Sequence, residues 1–217
     1  MLYYTANKIP ETFANNVRDH LLSMLDGIPI VSVSQKPLDF GENICVGEIG
    51  QSAQNVYRQI LVGARSVKTK FLACCEDDTL HDREYFTIDP PSDYFYYNHR
   101  WNVMPDYFYY RKGRYGMCTC VAPTELMIST LEDKFKRYEQ GITEVASLFA
   151  EPGRRERKCG LKLVKVAGFE TKVCSLTFKH WNSLSGVSRI LTNDVLKESL
   201  PFWGNASDLW ERFYGYR

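Results

Sequence analysis

Over the first eighty residues, short apolar runs alternate with stripes of helical period. Leu2-Tyr3-Tyr4-Thr5 reads as a short strand. Phe13, Val17, Leu21, Leu22 and Leu25 then recur at helical spacing and predict a helix over residues 11–25, closed by Asp26-Gly27. Residues 28–34 are rich in β-branched side chains and predict a second, buried strand. A loop follows through Pro37 and Gly41 to the turn at residues 47–52. Ser52 is a good N-cap for a helix over 53–67, whose apolar face carries Val56, Ile60, Leu61 and Ala64. Next comes an uncharged run, Phe71-Leu72-Ala73-Cys74-Cys75, read as a third strand. Strand, helix, strand, helix, strand is the order of a parallel sheet with right-handed crossovers, so the chain is read as α/β.

The remainder is less regular. Residues 93–101 and 107–115 are dense in tyrosine and arginine and predict two strands joined across residues 102–106. Residues 116–121 read as another strand, and Pro123-Thr124 opens a helix running to Tyr138. Residues 151–158 form a charged turn ahead of strands near 161–166 and 172–177. At 217 residues and 44% hydrophobic composition the chain is expected to form one domain in two halves, 1–82 and 83–217.

The chemistry concentrates where the third strand stops at Glu76-Asp77-Asp78. Three adjoining carboxylates at a strand end repel one another and call for a cation, and the carboxyl ends of strands are where open α/β sheets bind ligands. Strand alternation puts Glu76 and Asp78 on one side and Asp77 on the other. The formal net charge of +1 hides acids gathered at 76–84 and bases at 111–114 and 154–158, so overall charge selects no partner. The seven cysteines have no C-x-x-C spacing and suit a reducing cytoplasm. With no signal-like N-terminus and no stretch near the roughly 18 apolar residues of a membrane span, a soluble cytoplasmic protein with no membrane partner is expected. The turn at 47–52 is equally an ordinary loop or a phosphate cradle. Arg58 and Arg65, on the helix after it, are donor-diphosphate candidates whose commoner explanation is a solvated face. Aromatic faces beside guanidinium groups, as in 93–115, also stack sugars and unpaired bases.

The element order and the acidic strand end resemble the nucleotide-sugar-dependent glycosyltransferases of the GT-A fold. Glu76-Asp77-Asp78-Thr79-Leu80-His81, Tyr96-Tyr97-Asn98-x-x-Trp101, Glu151-Pro152-Gly153 and His180-x-Asn182-x-Leu184 resemble, more narrowly, a group of GT-A-like proteins of bacteria and their phages. The resemblance implies a mostly parallel central sheet flanked by helices, with an irregular acceptor-side half. It implies Mn²⁺ or Mg²⁺ held by Asp78, Glu76 and His180, with Asp78 the safer carboxylate because many GT-A enzymes carry Asp where Glu76 stands. The donor, most simply a UDP-sugar, would touch Thr5, Ala6, Asn7, Ser34 and Gln35, with Asp77 on the ribose. Glu151, then Asp106, is the candidate base. On the acceptor side it places Tyr97, Asn98 and Trp101, joined by the basic cluster Arg154, Arg155, Arg157 and Lys158.

Phage members of such families modify DNA bases, so the resemblance extends to DNA as acceptor through a hydroxymethylated base, which in a duplex has to be flipped out. Two other readings use the same residues. A nucleotidyltransferase needs the same metal and carboxylates but attacks the α-phosphate. A non-catalytic nucleic-acid-binding protein explains the basic clusters and leaves the acidic strand end unused.

Overall fold

The computed structural model describes residues 1–111, 113–141, 145–180, 195–196 and 199–215. It is a mixed α/β structure with two sheets. The larger is built on β1 (Leu2–Thr5), β2 (Val31–Ser34), β3 (Glu42–Cys45) and β4 (Phe71–Glu76), joined by β6 (Tyr94–Asn98), β9 (Cys120–Pro123) and β10 (Lys165–Phe169) in the order β10-β6-β9-β4-β1-β2-β3. β9 alone runs antiparallel to its neighbours in this sheet.

The chain moves from β1 to β2 on one side and returns through β4 on the other. The carboxyl ends of β1 and β4 therefore flank a point where strand order reverses, the place where such sheets open a crevice.

Alternation along the strands divides two apolar layers. Tyr3 and Cys75 pack with Phe13, Val17 and Leu21 of α1 (Glu11–Met24) and with Trp210, Phe213 and Tyr214 of α6 (Ala206–Tyr214). Leu2, Tyr4 and Cys74 face the other way, onto Tyr57, Ile60 and Ala64 of α2 (Ala53–Ser66) and Met127 and Leu131 of α4 (Thr124–Glu139). Because both faces of β4 are covered, its sequence is a continuous apolar run rather than an alternating one. The Ser52 hydroxyl caps α2 by accepting from the Asn55 amide at 3.1 Å. Gly63 lets α2 close on the sheet, since a Cβ there would lie 2.2 Å from Leu2 Cδ1.

Two features differ from the sequence reading. The loop after β2 contains β3, a parallel edge strand whose short, partly exposed segment Glu42–Cys45 carries no alternation signal. The second half is more ordered than expected. A smaller sheet joins β5 (Thr79–Leu80), β7 (Arg100–Val103), β8 (Phe108–Tyr110), β11 (Ser175–Phe178) and β12 (Val195–Leu196) in the order β12-β8-β7-β11-β5. The aromatic stretch is thus cut at His99, with β6 in one sheet and β7–β8 a hairpin in the other.

The acidic motif crosses between the sheets in the same way, β4 ending at Glu76 and β5 beginning at Thr79. His81 then anchors the second sheet: it is fully buried, stacks on Tyr85 of α3 (Arg83–Thr87) at 3.8 Å, and its Nδ1 lies 2.8 Å from Ser175 Oγ. Burial, reinforced by the nearby charge of His20, holds its pKa down at about 3, so it is neutral at physiological pH. No helix among the described residues is long and apolar enough to cross a membrane.

Candidate active site

A cleft of about 320 Å³ opens at the carboxyl ends of β1 and β4. Its floor is acidic. Glu76, Asp77 and Asp78 all line it, because the chain turns at Asp77-Asp78 and the two-residue alternation expected of a strand stops at Glu76. The predicted outward direction of Asp77 is thereby overturned.

Each carboxylate has its own partner. The Tyr4 hydroxyl donates to Glu76 Oε1 at 2.9 Å, and the Thr5 hydroxyl donates to Asp77 Oδ2. Asp78 Oδ2 lies 3.3 Å from His180 Nε2, and Asp78 Oδ1 accepts from the Thr79 hydroxyl at 3.0 Å. The sequence separation between Asp78 and His180 is bridged by β11, whose end delivers Lys179 and His180 to the cleft: the Phe178 amide donates to Asp78 O at 2.9 Å and the Lys179 amide to Val103 O at 3.0 Å.

The electrostatics separate the three acids. Burial and repulsion from Asp78 push Glu76 up to about 7, against the Tyr4 hydrogen bond. Asp77 is likewise pushed up to about 7, by burial first and then by Asp78. Burial also acts on Asp78, but the His180 contact and the Lys179 charge outweigh it and hold Asp78 below the usual carboxylate range. Only Asp78 is therefore firmly ionised. Strong perturbation of adjacent carboxylates in a concave site is what catalytic and ion-binding sites show.

A stability consequence follows. Asp77 ionises above 3.8 in a free chain but only near 7 when folded, so between those values the folded protein holds more protons, and stability falls as pH rises through the window. With EDTA present, Asp77→Asn is expected to be more stable than wild type at pH 8, by a few kcal/mol at most, and the two proteins converge at pH 4. Thermal unfolding across this range checks the expectation; a gain of equal size at both pH values would contradict it.

The donor residues expected from sequence divide into two sets. Thr5 and Ala6 line the cleft. Asn7, Ser34 and Gln35 instead brace the loops around it. Asn7 Oδ1 accepts from the Gln35 and Lys36 amides at 2.8 and 3.0 Å, Ser34 donates to Lys36 O at 2.6 Å, and the Gln35 amide makes paired bonds with the Gly50 backbone at 2.8 and 3.0 Å. The loop at residues 47–52 is thus tied down by Gln35, and it contributes Gln51 to the cleft.

Arg58 and Arg65 lie outside the cleft, on the α2 face turned toward α4. Arg58 sits over the Phe135 ring at 5.9 Å and Arg65 pairs with Glu132 at 2.8 Å.

The acceptor-side residues separate as well. Glu151 lines the cleft and contacts Arg154 Nη1 at 2.5 Å. Asp106 is exposed in the β7–β8 hairpin turn, apart from the cleft. Tyr97 is 1% exposed, stacks on Tyr115 at 4.6 Å and donates to Pro152 O at 3.1 Å, so its ring belongs to the core. Asn98 is also buried, donating to Thr171 Oγ1 and Ser175 Oγ at 2.9 and 3.0 Å. Trp101 packs near Tyr110 at 5.6 Å without lining the cleft. Arg155, Arg157 and Lys158 are exposed on a turn organised by the buried Glu156, which accepts from the Gly153 and Arg155 amides at 2.8 and 3.1 Å. Asn182 and Leu184 lie outside the described residues.

Sequence reasoning missed the bases that share the cleft with the acids. Arg100 of β7 and Lys179 both line the cleft. Arg100 Nη1 donates to Cys118 Sγ at 2.8 Å, and its guanidinium occupies space left by Gly116, where a Cβ would lie 2.6 Å from Arg100 Cζ. Burial and the adjacent Arg100 charge depress the Lys179 pKa, against the attraction of Asp78. Tyr57, Val56 and Phe149 supply an apolar side. The local signal was weak: Arg100 was one base in an aromatic run, and Lys179 preceded the more conspicuous His180.

No family model matches the chain, and no curated protein does either. Among solved structures, the chain is similar to one described as a glycosyltransferase involved in the glycosylation of the major capsid of PBCV-1. The two are 10% identical, with 85% of this chain and 94% of that chain covered, at a TM-score of 0.46.

Proposed function

We propose that the protein is a divalent-metal-dependent glycosyltransferase of GT-A type, taking a nucleoside-diphosphate sugar in the acidic cleft. The observation that carries this reading is the pairing of Asp78 with His180 at 3.3 Å beside two carboxyls whose pKa values are pushed up to about 7. The oxygen and nitrogen donors fit Mn²⁺ or Mg²⁺. No group of three or more His, Cys, Asp or Glu side chains among the described residues is arranged to hold an ion by itself. Mn²⁺ and Mg²⁺ keep water and substrate phosphate in their shell and use one or two protein carboxylates. Asp78 and His180 would hold the ion, with Glu76 and Asp77 available as its charge draws off their protons. When bound, the ion would act as a Lewis acid on the diphosphate oxygens, where charge accumulates as the sugar leaves.

The chain's own groups account for the rest. Thr5, Ala6, Gln51 and Val56 would border the nucleoside, and the apolar side would limit water at the reacting centre. Arg100 and Lys179, which line the same cleft, would offset phosphate charge. On the inverting course, the acceptor oxygen bonds the anomeric carbon as the bond from that carbon to the β-phosphate oxygen breaks. Glu151 takes the acceptor hydroxyl proton and the nucleoside diphosphate departs.

Product analysis tests the reading. Incubation with UDP- and GDP-sugars, Mn²⁺ and a panel of acceptors is expected to release the nucleoside diphosphate. Release of pyrophosphate from nucleoside triphosphates would instead assign nucleotidyl transfer.

A further inference from the structure

Beside the acidic cleft is a smaller recess of about 90 Å³, lined by Arg100, Arg111, Arg114, Arg154 and Lys179 around a single carboxylate, Glu151. The five cations come from four separate parts of the chain. Arg100 lies in β7, Arg111 and Arg114 follow β8, Arg154 sits in the turn after α5 (Val145–Leu148), and Lys179 immediately follows β11. A solvated charged face on one element does not produce such convergence.

Glu151 is already paired with Arg154. Among the described residues, no carboxylate lies within ion-pair distance of Arg111 or Arg114. Like charges gathered in a concavity repel unless an anion joins them. The Arg114 amide donates to Arg111 O at 3.2 Å, and Gly113 takes φ +67°.

Arg100, Glu151 and Lys179 line both the recess and the cleft. A group seated in the recess is therefore next to the proposed reacting centre, with Glu151 between them. We propose that the recess anchors the acceptor by a phosphate monoester, holding the acceptor hydroxyl beside Glu151. This rests on the glycosyltransferase reading for its role, though not for its chemistry. Guanidinium forks match phosphate oxygens in bidentate fashion, and several cations suit a dianion better than a single carboxylate. The size favours one compact anion on a small acceptor over a nucleic-acid strand, which needs an extended basic track. Arg155, Arg157 and Lys158, which would extend such a track, do not line the recess.

The test is calorimetric titration of inorganic phosphate, then glycerol 3-phosphate, into the full chain at low salt, with and without saturating UDP and Mn²⁺. Both phosphates are expected to bind at one site per chain, unhindered by UDP and Mn²⁺. The double variant Arg111→Gln, Arg114→Gln should weaken them by on the order of tenfold or more. Both side chains sit on a surface turn and their charges repel their neighbours, so without phosphate this variant should unfold at a Tm no lower than wild type. Unchanged phosphate affinity in it, or no phosphate binding to wild type, overturns the proposal. Displacement of phosphate by UDP with Mn²⁺ also overturns it, assigning the recess to the donor. A single-stranded oligonucleotide without terminal phosphate that binds more tightly than glycerol 3-phosphate, and weakens when Arg155, Arg157 and Lys158 are neutralised, would replace it with a nucleic-acid acceptor. Phosphate binding in a protein that ignores every nucleotide would leave the anion site standing while removing the glycosyl-transfer reading.

Discussion

Asp78→Asn is expected to lower sugar transfer by at least about 10²- to 10³-fold and to abolish the manganese dependence of donor binding. Asp78 is the one acid of the three that the cleft holds below the usual carboxylate range, so it supplies the standing negative charge that an incoming cation meets first. The asparagine keeps an oxygen for the Thr79 hydroxyl, which now bonds Asp78 Oδ1 at 3.0 Å, and removes the charge facing His180. Relief of repulsion on Glu76 and Asp77 opposes the lost His180 contact, so the variant should fold and unfold cooperatively. Measured against wild type, the donor affinity of this variant should be the same with Mn²⁺ as with EDTA. Retained metal-dependent affinity would move the ion elsewhere in the cleft.

The largest effect on stability is expected at a residue that does not line the cleft. Lys134 lies on the apolar face of α4 at 1% exposure, where its ammonium donates to Leu148 O and Ala150 O at 3.1 and 2.7 Å and lies 3.9 Å from Glu156 Oε1. Burial lowers its pKa, opposed by Glu156. This one side chain fastens the segment that ends in Glu151 to the helix layer. Truncation leaves two carbonyls without their donor and a buried carboxylate without its cation. Lys134→Ala should therefore cost about 3–5 kcal/mol, a fall in Tm of roughly 6–20 °C for a domain of this size. Adding Glu156→Gln should recover part of the loss, because the stranded charge is then gone. A fall below about 1 kcal/mol would mean that solvent reaches the lysine readily.

How much of this was legible in the sequence depended on how local each feature is. The helices over 11–24 and 53–66 were readable from helical periodicity and, for the second, from a capping serine. The acidic strand end stood out because a run covered on both faces stopped at three charges. The direction of Asp77 was not readable, since period-two alternation holds only within a strand and the chain turns there.

The smaller sheet was hidden for a different reason. Its pairings join Leu80 to Leu176 and Trp101 to Leu176, contacts that no local pattern encodes. The same separation hid the basic recess, whose cations looked like unrelated surface charges until the fold assembled them. Tyr97 and Asn98 misled in the opposite direction. Burial does alternate along residues 94–97, but with aromatic residues at all four positions the sequence does not show which face is covered, so core side chains resembled an exposed binding platform. Charge runs were similarly deceptive: of 154–158, Arg154 reaches the recess, while Glu156 is buried and binds the backbone of its own turn.

The acidic cleft is proposed to bind a nucleoside-diphosphate sugar together with a divalent ion. The most direct measurement is thermal unfolding of the wild-type chain with a panel of nucleoside-diphosphate sugars, each with Mn²⁺ and with EDTA. A matching donor at 100 times its dissociation constant should add about 2.7 kcal/mol of stability, and only when Mn²⁺ is present. Equal stabilisation with EDTA, or none from any donor in the presence of Mn²⁺, would contradict the account.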